Sequence, residues 1–144
     1  SGGRILYLNT AFPTYCWRFV EAVPAYIGPA VWGGYGALTG ATGLSAEQIG
    51  AGKTNTAQIL SVLGDNGGNP YAAKICDDYA LSGYDDWFLP SRAEMELLKG
   101  KSLLANSHWT SSEQDAAGAW SVADWGSGGS HKESNFRVWP FRTF

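Results

Sequence analysis

The strongest pattern of apolar and polar positions lies in Gly83–Lys99, which reads GYDDWFLPSRAEMELLK. Three apolar residues, Trp87 to Leu89, follow a polar turn, and a proline ends the run. Ser91 and Glu94 then have the spacing of a capping box, in which the hydroxyl accepts from the third residue's N–H and the carboxylate accepts from the cap's own N–H. The apolar residues that follow complete one helix, which a glycine ends. The pattern predicts a buried Trp-Phe-Leu segment beside a capped helix, at the centre of one core.

Weaker patterns along the rest of the chain predict two more helices, five strands and two loops. The predicted elements, in chain order, are strands Arg4–Asn9 and Cys16–Val23, a helix from Thr54 or Asn55 to Gly64, a helix from Asn69 to about Leu81, and strands Trp109–Ser112, Ala119–Ala123 and Phe136–Phe141. Pro13 turns the chain between the first two strands. Ala25–Gly52 and Gly126–Ser130 are glycine-rich and lack sustained periodicity, so both are predicted as loops, the second of them flexible. The sequence therefore predicts a single α+β domain over residues 3–144.

The composition is that of one globular domain. With 144 residues, 7 tryptophans and only 16% charged residues, the chain is large enough to bury an aromatic core without a metal or a disulfide. No apolar run approaches the ~18–20 residues that a membrane span needs, so direct membrane insertion is not expected. The net charge of −3 argues against binding to duplex nucleic acid.

The two cysteines, Cys16 and Cys76, lie far apart in the sequence and lack the spacing of a metal site. In an exported protein they could form a disulfide. Alternatively, Cys76 is a small buried hydrophobe, because it shares a helical face with Ala72, Ile75 and Tyr79. Both interpretations are compatible with the sequence.

The sequence contains no complete catalytic motif. Gly50–Thr54 resembles the end of a phosphate-binding loop, but that pattern requires a glycine where Glu47 stands. His108 and His131 lie outside any motif that would activate a nucleophile, and we expect the first to be structural and the second to be solvated. We therefore predict no catalytic residue, no cofactor and no metal, and that the protein is not an enzyme.

Several short motifs occur in an order that resembles a known family. GYDDWFLPSRAEMELL is followed by HWTSSE, then AW, and then FRVWPFR before the chain end, while NTAQIL and YAAKIC lie upstream. From about Asn55 to Phe144, this order is similar to that of the C-terminal domain of the Legionella collagen-like adhesin and its relatives. The residues before Asn55 match the family only loosely.

The resemblance implies a C-type-lectin-like fold, in which the first and last strands pair, here Ile5–Leu8 with Arg137–Trp139. It also implies a secreted or cell-surface protein that binds sulphated glycosaminoglycans. A homotrimer is expected because a collagen-like stalk has three strands. The calcium loops of sugar-binding C-type lectins are absent from the sequence, as is the late cysteine pair of the formylglycine-generating oxidases in the same fold class.

Sulphated polysaccharides are linear polyanions, so binding them requires spaced lysines and arginines. The candidates are dispersed basic residues in two groups, Arg92, Lys99 and Lys101 around the predicted capped helix, and Lys132, Arg137 and Arg142 near the C-terminus. Each of them has an alternative role as a solubilising charge. Trp125, between Asp124 and a glycine loop, is either a platform on which a sugar stacks or a core residue.

Three functional hypotheses follow. The leading one is an extracellular adhesin module that binds sulphated polysaccharides multivalently through a homotrimer. The alternative is a structural module that trimerises and caps a collagen-like stalk without a ligand of its own. The third is an enzyme similar to the formylglycine-generating oxidases, which would require a redox-active cysteine pair.

Overall fold

Eight strands and four helices form the described part of the chain. The computed structural model of the protein describes residues 2–11, 14 and 16–144, and the predicted turn at Pro13 lies outside them. The strands are β1 (Arg4–Leu8), β2 (Phe19–Ala22), β3 (Ile27–Ala30), β4 (His108–Glu113), β5 (Gly118–Ala123), β6 (Gly126–His131), β7 (Phe136–Val138) and β8 (Phe141–Thr143). The helices are α1 (Gly43–Glu47), α2 (Gly52–Leu63), α3 (Ala72–Asp77) and α4 (Arg92–Glu96), with one 3₁₀ turn at Asn66–Gly68.

The strands form two sheets. One has three strands in the order β1-β2-β8, and the other has five in the order β3-β7-β4-β5-β6. Neighbouring strands are antiparallel except β4 and β7, which run parallel. α1 and α2 pack on β4, and α4 packs on β4 and β5. The predicted α+β class is confirmed, and strands from both chain ends lie in one sheet.

The strands from the two chain ends meet through β2. This strand lies between β1 and β8 and is antiparallel to both. The predicted direct pairing of Ile5–Leu8 with Arg137–Trp139 is wrong, because β7 pairs with β3 and β4 in the other sheet. The predicted strand Phe136–Phe141 is two strands. Pro140 separates them, and since it has no N–H to donate to a ladder, it allows each half to join a different sheet.

The Trp-Phe-Leu segment is buried, as predicted. Leu89 belongs to one apolar cluster with Trp109, whereas Trp87 and Phe88 belong to a second cluster with Met95. Backbone hydrogen bonds of 2.8 and 2.9 Å, one in each direction, join Phe88 to Phe141 in β8. The segment therefore links two clusters where one core was predicted.

The predicted capping box is present at the start of α4. Ser91 Oγ accepts from the Glu94 N–H at 3.3 Å, and Glu94 Oε2 accepts from the Ser91 N–H at 2.7 Å. The carboxylate is buried, and its Oε1 also accepts from the Gly50 N–H at 2.8 Å, so it ties α4 to the segment before α2. Burial raises the pKa of Glu94 to about 7, although the backbone N–H groups around it oppose this shift.

Further elements differ from the sequence prediction, and one is the capped helix, which ends at Glu96 instead of at Gly100. The long segment predicted as a loop, Ala25–Gly52, contains β3 and α1, and the helix predicted from Asn69 to about Leu81 extends only over Ala72–Asp77. The predicted flexible loop at Gly126–Ser130 is wrong, because β6 pairs with β5 at six positions. The backbone of β5 gains a full ladder of hydrogen bonds from this partner. Glycine and serine give no apolar alternation, so the sequence carries no strand signal there.

The two cysteines are separate. Cys76 is fully buried in α3, Cys16 is exposed, and both thiols are free. The interpretation of Cys76 as a small buried hydrophobe is confirmed, and the alternative disulfide is not formed. Burial raises the pKa of the Cys76 thiol well above its ordinary value, which makes this thiol a poor nucleophile.

Candidate ligand-binding site

Trp125 lies at the tip of a tight hairpin and is 72% exposed. The connection between β5 and β6 consists of Asp124 and Trp125 alone. Asp124 anchors this turn, because its N–H donates to the Leu104 carbonyl at 2.8 Å while Oδ2 accepts from the Leu104 N–H at 3.2 Å. Asp124 Oδ1 also accepts from the Gly100 N–H at 3.3 Å. The hairpin therefore presents an exposed indole from a fixed backbone.

A groove of about 530 Å³ lies on one side of Trp125. Besides Trp125, its walls come from three places in the chain, namely the start of β3, the segment before β4, and the start of β7. We call it the aromatic groove, and it is lined by Tyr26, Pro29, Asn106, Ser107, Trp125, Asn135, Phe136 and Arg137. Aromatic walls with a few polar groups are typical of sites for small ligands.

Arg137 is the charged residue of the aromatic groove. Its guanidinium carbon lies 4.2 Å from the centre of the Tyr26 ring. The Asn106 amide, with its oxygen oriented toward the guanidinium, accepts from Nη1 and Nη2 at 2.9 Å each. No carboxylate among the described residues forms an ion pair with Arg137. The guanidinium is thus held in one orientation while its charge is left without a partner.

His108 supports this arrangement from behind. Its ring is buried and packs against the rings of Tyr26 and Trp139. Its Nδ1 lies 2.7 Å from the backbone carbonyl oxygen of Asn106, and because this oxygen only accepts, Nδ1 carries a proton. Burial, together with the nearby charge of Arg137, lowers the pKa of His108 to about 4. The residue is therefore neutral and structural, as predicted.

A second groove, of about 370 Å³, also lies against Trp125. We call it the serine groove, and it is lined by Ser107, Ser121, Ala123, Trp125, Gly126, Ser127, Gly128 and Ser130. Ser107 and Trp125 line both grooves. The hydroxyl oxygens of Ser121 and Ser130 lie 2.9 Å apart on neighbouring strands. Trp125 therefore lines both an aromatic, cationic groove and an uncharged, hydroxyl-rich groove.

Lys132 does not belong to an exposed basic surface. Its side chain is fully buried, and Nζ lies 2.6 Å from Oε1 of the equally buried Glu113. Nζ also donates to the Ala37 carbonyl at 2.8 Å and lies 4.6 Å from the centre of the Trp32 ring. Both oxygens of the Glu113 carboxylate accept in addition from the backbone N–H of Thr39, at 3.0 and 2.9 Å, so this ion pair fixes a loop to β4. The predicted role of Lys132 as a surface cation is wrong.

Arg142 is also buried, with 8% of its side chain exposed. Its Nε lies 2.9 Å from Asp86 Oδ1, and Nη1 lies 3.5 Å from Glu21 Oε2. The guanidinium carbon lies 3.9 Å from the centre of the Tyr84 ring. The predicted exposed position is wrong here as well, because two acidic partners from distant parts of the chain enclose the guanidinium.

Arg92 is partly exposed but engaged. Its Nη1 lies 2.9 Å from Glu47 Oε2, Nε lies 3.4 Å from Glu96 Oε1, and its guanidinium carbon lies 3.9 Å from the centre of the Trp120 ring. Nη2 also donates to Ser127 Oγ at 3.1 Å. These contacts leave Arg92 little free charge to offer a ligand.

Lys99 and Lys101 are the two exposed candidates. They flank Gly100, whose N–H donates to Asp124, the neighbour of Trp125. The turn that carries both lysines therefore abuts the Trp125 hairpin. Of the six predicted cations, Arg137 lines a groove, Lys99 and Lys101 flank the hairpin, and Arg92, Lys132 and Arg142 serve internal contacts.

Sequence reasoning missed most of the groove residues. Tyr26, Asn106 and Ser121 carry no motif, and the fold brings them together from separate strands. One signal was present at Trp125. A bulky aromatic residue in a two-residue turn lies where turn chemistry favours glycine, asparagine or aspartate.

The described residues contain no group of three or more histidines, cysteines and carboxylates that could hold a metal ion. No helix among them has the length and apolar character needed to cross a membrane. Comparison with known protein families gives no matching family model, and comparison with curated proteins gives no matching sequence. The functional proposal therefore depends on the geometry of the site.

Proposed function

We propose that this domain is a carbohydrate-binding module whose site is the surface around Trp125. The observation that carries the proposal is a fixed hairpin that holds a largely exposed indole against two grooves. An exposed aromatic surface with convergent polar groups is typical of a binding site. A pyranose ring has an apolar C–H face that stacks on an indole and hydroxyls that need polar partners, and the two grooves supply both.

The charges beside Trp125 favour an anionic sugar. Arg137 is oriented by Tyr26 and Asn106 and has no carboxylate partner among the described residues. Its planar fork matches the geometry of a carboxylate or a sulphate. Lys99 and Lys101 flank the glycine that anchors the hairpin and add positive charge nearby. A sulphated or uronate-containing polysaccharide fits this surface better than an uncharged one.

We further propose that the module acts as an adhesin, secreted or at the cell surface, and works as a homotrimer. One site with few free cations binds weakly, because an exposed ion pair contributes only ~0–1 kcal/mol. Three sites presented together raise the effective concentration along a long polysaccharide. The order of motifs from about Asn55 to Phe144, which resembles that of the adhesin family, supports a trimeric adhesin.

Binding to immobilised chondroitin sulphate tests the proposed site. Trp125→Ala is expected to weaken binding at least about tenfold, because it removes the stacking surface. Tyr35→Ala is the matched control, since Tyr35 is an aromatic residue that is 54% exposed and lines neither groove. Equal affinity for wild type and Trp125→Ala, or equal binding of uncharged dextran, would contradict the proposal.

A second candidate function is assembly without a ligand. β1 is an edge strand, and its Ile5 and Leu8 are 54% and 49% exposed. Apolar side chains on a free strand edge favour association with a second copy of the chain. Light scattering tests this: the capping function predicts a trimer mass that Ile5→Ser reduces, with no binding of chondroitin sulphate by either form.

A further inference from the structure

We propose that the aromatic groove and the serine groove are consecutive subsites for one acidic oligosaccharide. The acidic ring lies in the aromatic groove and an uncharged ring lies in the serine groove, with Trp125 in contact with both. This inference rests on the proposed carbohydrate-binding function and adds to it the class of ligand and the direction in which the ligand lies.

The two grooves are adjacent. Trp125 forms a wall of each, and Ser107 lines both. Their volumes, about 530 and about 370 Å³, both fall in the range of roughly 300–1,000 Å³ that is usual for small-ligand sites. A chain of linked sugar rings that enters one groove can therefore continue into the other past the indole.

The grooves differ in charge. The aromatic groove contains the guanidinium of Arg137, which Tyr26 and Asn106 orient. Among the described residues, no lysine, arginine, aspartate or glutamate lines the serine groove. An anionic group gains a charge-assisted hydrogen bond in the first groove and would lose its hydration without compensation in the second. The acidic ring therefore belongs beside Arg137.

The serine groove matches the hydroxyls of an uncharged ring. Ser121 Oγ and Ser130 Oγ lie 2.9 Å apart, so one donates to the other. Ser121 Oγ has a second acceptor, the Gly128 carbonyl oxygen at 3.5 Å. When Ser121 instead donates to Ser130, the proton of Ser130 is free for a ligand, and both oxygens keep lone pairs. The pair can therefore donate one hydrogen bond and accept others, which is what a sugar hydroxyl needs from its partner.

Gly128 keeps the serine groove open. It lies opposite Ser121 in the β5–β6 ladder, and a Cβ atom built on it would meet no atom within 4 Å. A side chain at this position would therefore project into free space without a clash in the protein. Gly128→Val is expected to fill the groove while leaving the fold intact, and Gly128→Ala is its milder form.

Calorimetry with hyaluronan fragments tests the two subsites, because glucuronate alternates with uncharged N-acetylglucosamine in this polymer. The probes are glucuronic acid, a hyaluronan tetrasaccharide, and the same tetrasaccharide with its carboxyls reduced. Wild type is expected to bind the tetrasaccharide at least about tenfold more tightly than glucuronic acid. Gly128→Val should remove this difference and leave the affinity for glucuronic acid unchanged, with Gly128→Ala between the two. Arg137→Gln should instead abolish the preference for the acidic over the reduced tetrasaccharide.

The outcomes separate the inference from the function on which it rests. If Trp125→Ala abolishes binding but Gly128→Val, with an unchanged melting temperature, binds the tetrasaccharide like wild type, the site is carbohydrate-binding and the second subsite is overturned. If Trp125→Ala has no effect, or if no probe binds, both proposals are overturned. Tighter binding of oligodeoxythymidylate at the same residues would also overturn both, in favour of a nucleic-acid ligand.

Discussion

Arg137 and Lys132 lie five positions apart in the sequence, yet they occupy opposite kinds of environment. Lys132 is fully buried against Glu113, and its hydrogen bonds tie a loop to β4. Arg137 lines an open groove, where an aromatic ring and an amide orient it and no carboxylate among the described residues pairs with it. The buried cation stabilises the fold, and the groove cation is available to a ligand.

The difference shows that a basic residue's role depends on whether the fold supplies a carboxylate. Glu113 does so for Lys132, and Glu21 and Asp86 do so for Arg142. A protein that binds anions through dispersed surface charge would leave such residues exposed. Of the six candidate cations, the three that form no ion pair with a described carboxylate, Arg137, Lys99 and Lys101, lie in or beside the Trp125 site, which favours a defined site over a diffuse basic surface.

The largest expected effect is on the free energy of unfolding, and it distinguishes the buried cation Lys132 from the groove cation Arg137. Lys132→Met leaves the Glu113 carboxylate buried without its cation, and the free energy of unfolding should fall by about 3–5 kcal/mol. Arg137→Gln should change it by less than about 1 kcal/mol, because the side chain is partly exposed and pairs with no carboxylate. Urea denaturation of both variants measures the contrast.

The double variant Glu113→Gln/Lys132→Met is the control for the buried pair. It removes the uncompensated charge, so it should recover part of the stability lost in Lys132→Met. A Lys132→Met protein as stable as Arg137→Gln would show that the buried ion pair does not anchor the fold.

The second effect is a pH dependence with two opposing parts. The pKa of Glu94 is about 7 in the folded protein, against an ordinary value of 4.5. Between these pH values the folded state holds a proton that the unfolded state has released. The contribution of Glu94 to the free energy of unfolding therefore falls as the pH rises from 4.5 to about 7. The pKa of His108 is about 4 against an ordinary 6.5, so stability from this group is lost as the pH falls from 6.5 to about 4. Each contribution is at most on the order of 3 kcal/mol.

Single variants separate the two parts. In Glu94→Gln only the His108 contribution remains, so the free energy of unfolding should rise with pH up to about 6.5. In His108→Gln only the Glu94 contribution remains, so the free energy of unfolding should fall as the pH rises to about 7. Glu96→Gln, on the surface of the same helix as Glu94, should keep the wild-type profile. Urea denaturation across a pH series measures this. Identical profiles for Glu94→Gln and His108→Gln would rule out the assignment.

The sequence predicts well what depends on neighbouring residues. The capping box of Ser91 and Glu94, the end of α2 at Gly64 and the burial of Trp87 follow from patterns within a few positions. β6 could not be predicted, because its glycines and serines carry no apolar alternation and only the ladder with β5 makes it a strand.

The candidate site shows the same limit. Arg137 and Trp125 could be named from the sequence because residue type alone suggests a role. The burial of Lys132 could not, because Glu113 meets it only through the fold. Tyr26 and Asn106 were missed because their contribution lies in how they orient Arg137.

A smaller effect concerns which cations meet the ligand. Arg137→Gln is expected to weaken binding of chondroitin sulphate about tenfold, because it removes an oriented charge-assisted contact. Lys99→Gln and Lys101→Gln, which remove exposed and more mobile charges, should each weaken it about two- to threefold. Equal effects for all three would indicate diffuse attraction and weigh against a defined site.

The smallest effect is the dependence on salt. Binding of chondroitin sulphate should weaken as salt is raised from low to physiological concentration, because exposed charges are screened. Short fragments should lose more than long chains, since long chains engage several sites at once. A binding constant that does not change across the salt series would contradict an anionic ligand.

The most direct test of the proposed site is an NMR titration of the indole N–H signals with a chondroitin sulphate tetrasaccharide. The indole N–H groups of Trp32, Trp109 and Trp139 donate to backbone carbonyls inside the protein, whereas Trp125 is largely exposed. The Trp125 signal is predicted to shift with the backbone amides of both grooves, while the three buried signals stay in place. Shifts confined to the Lys99 and Lys101 amides, with Trp125 unmoved, would contradict the account.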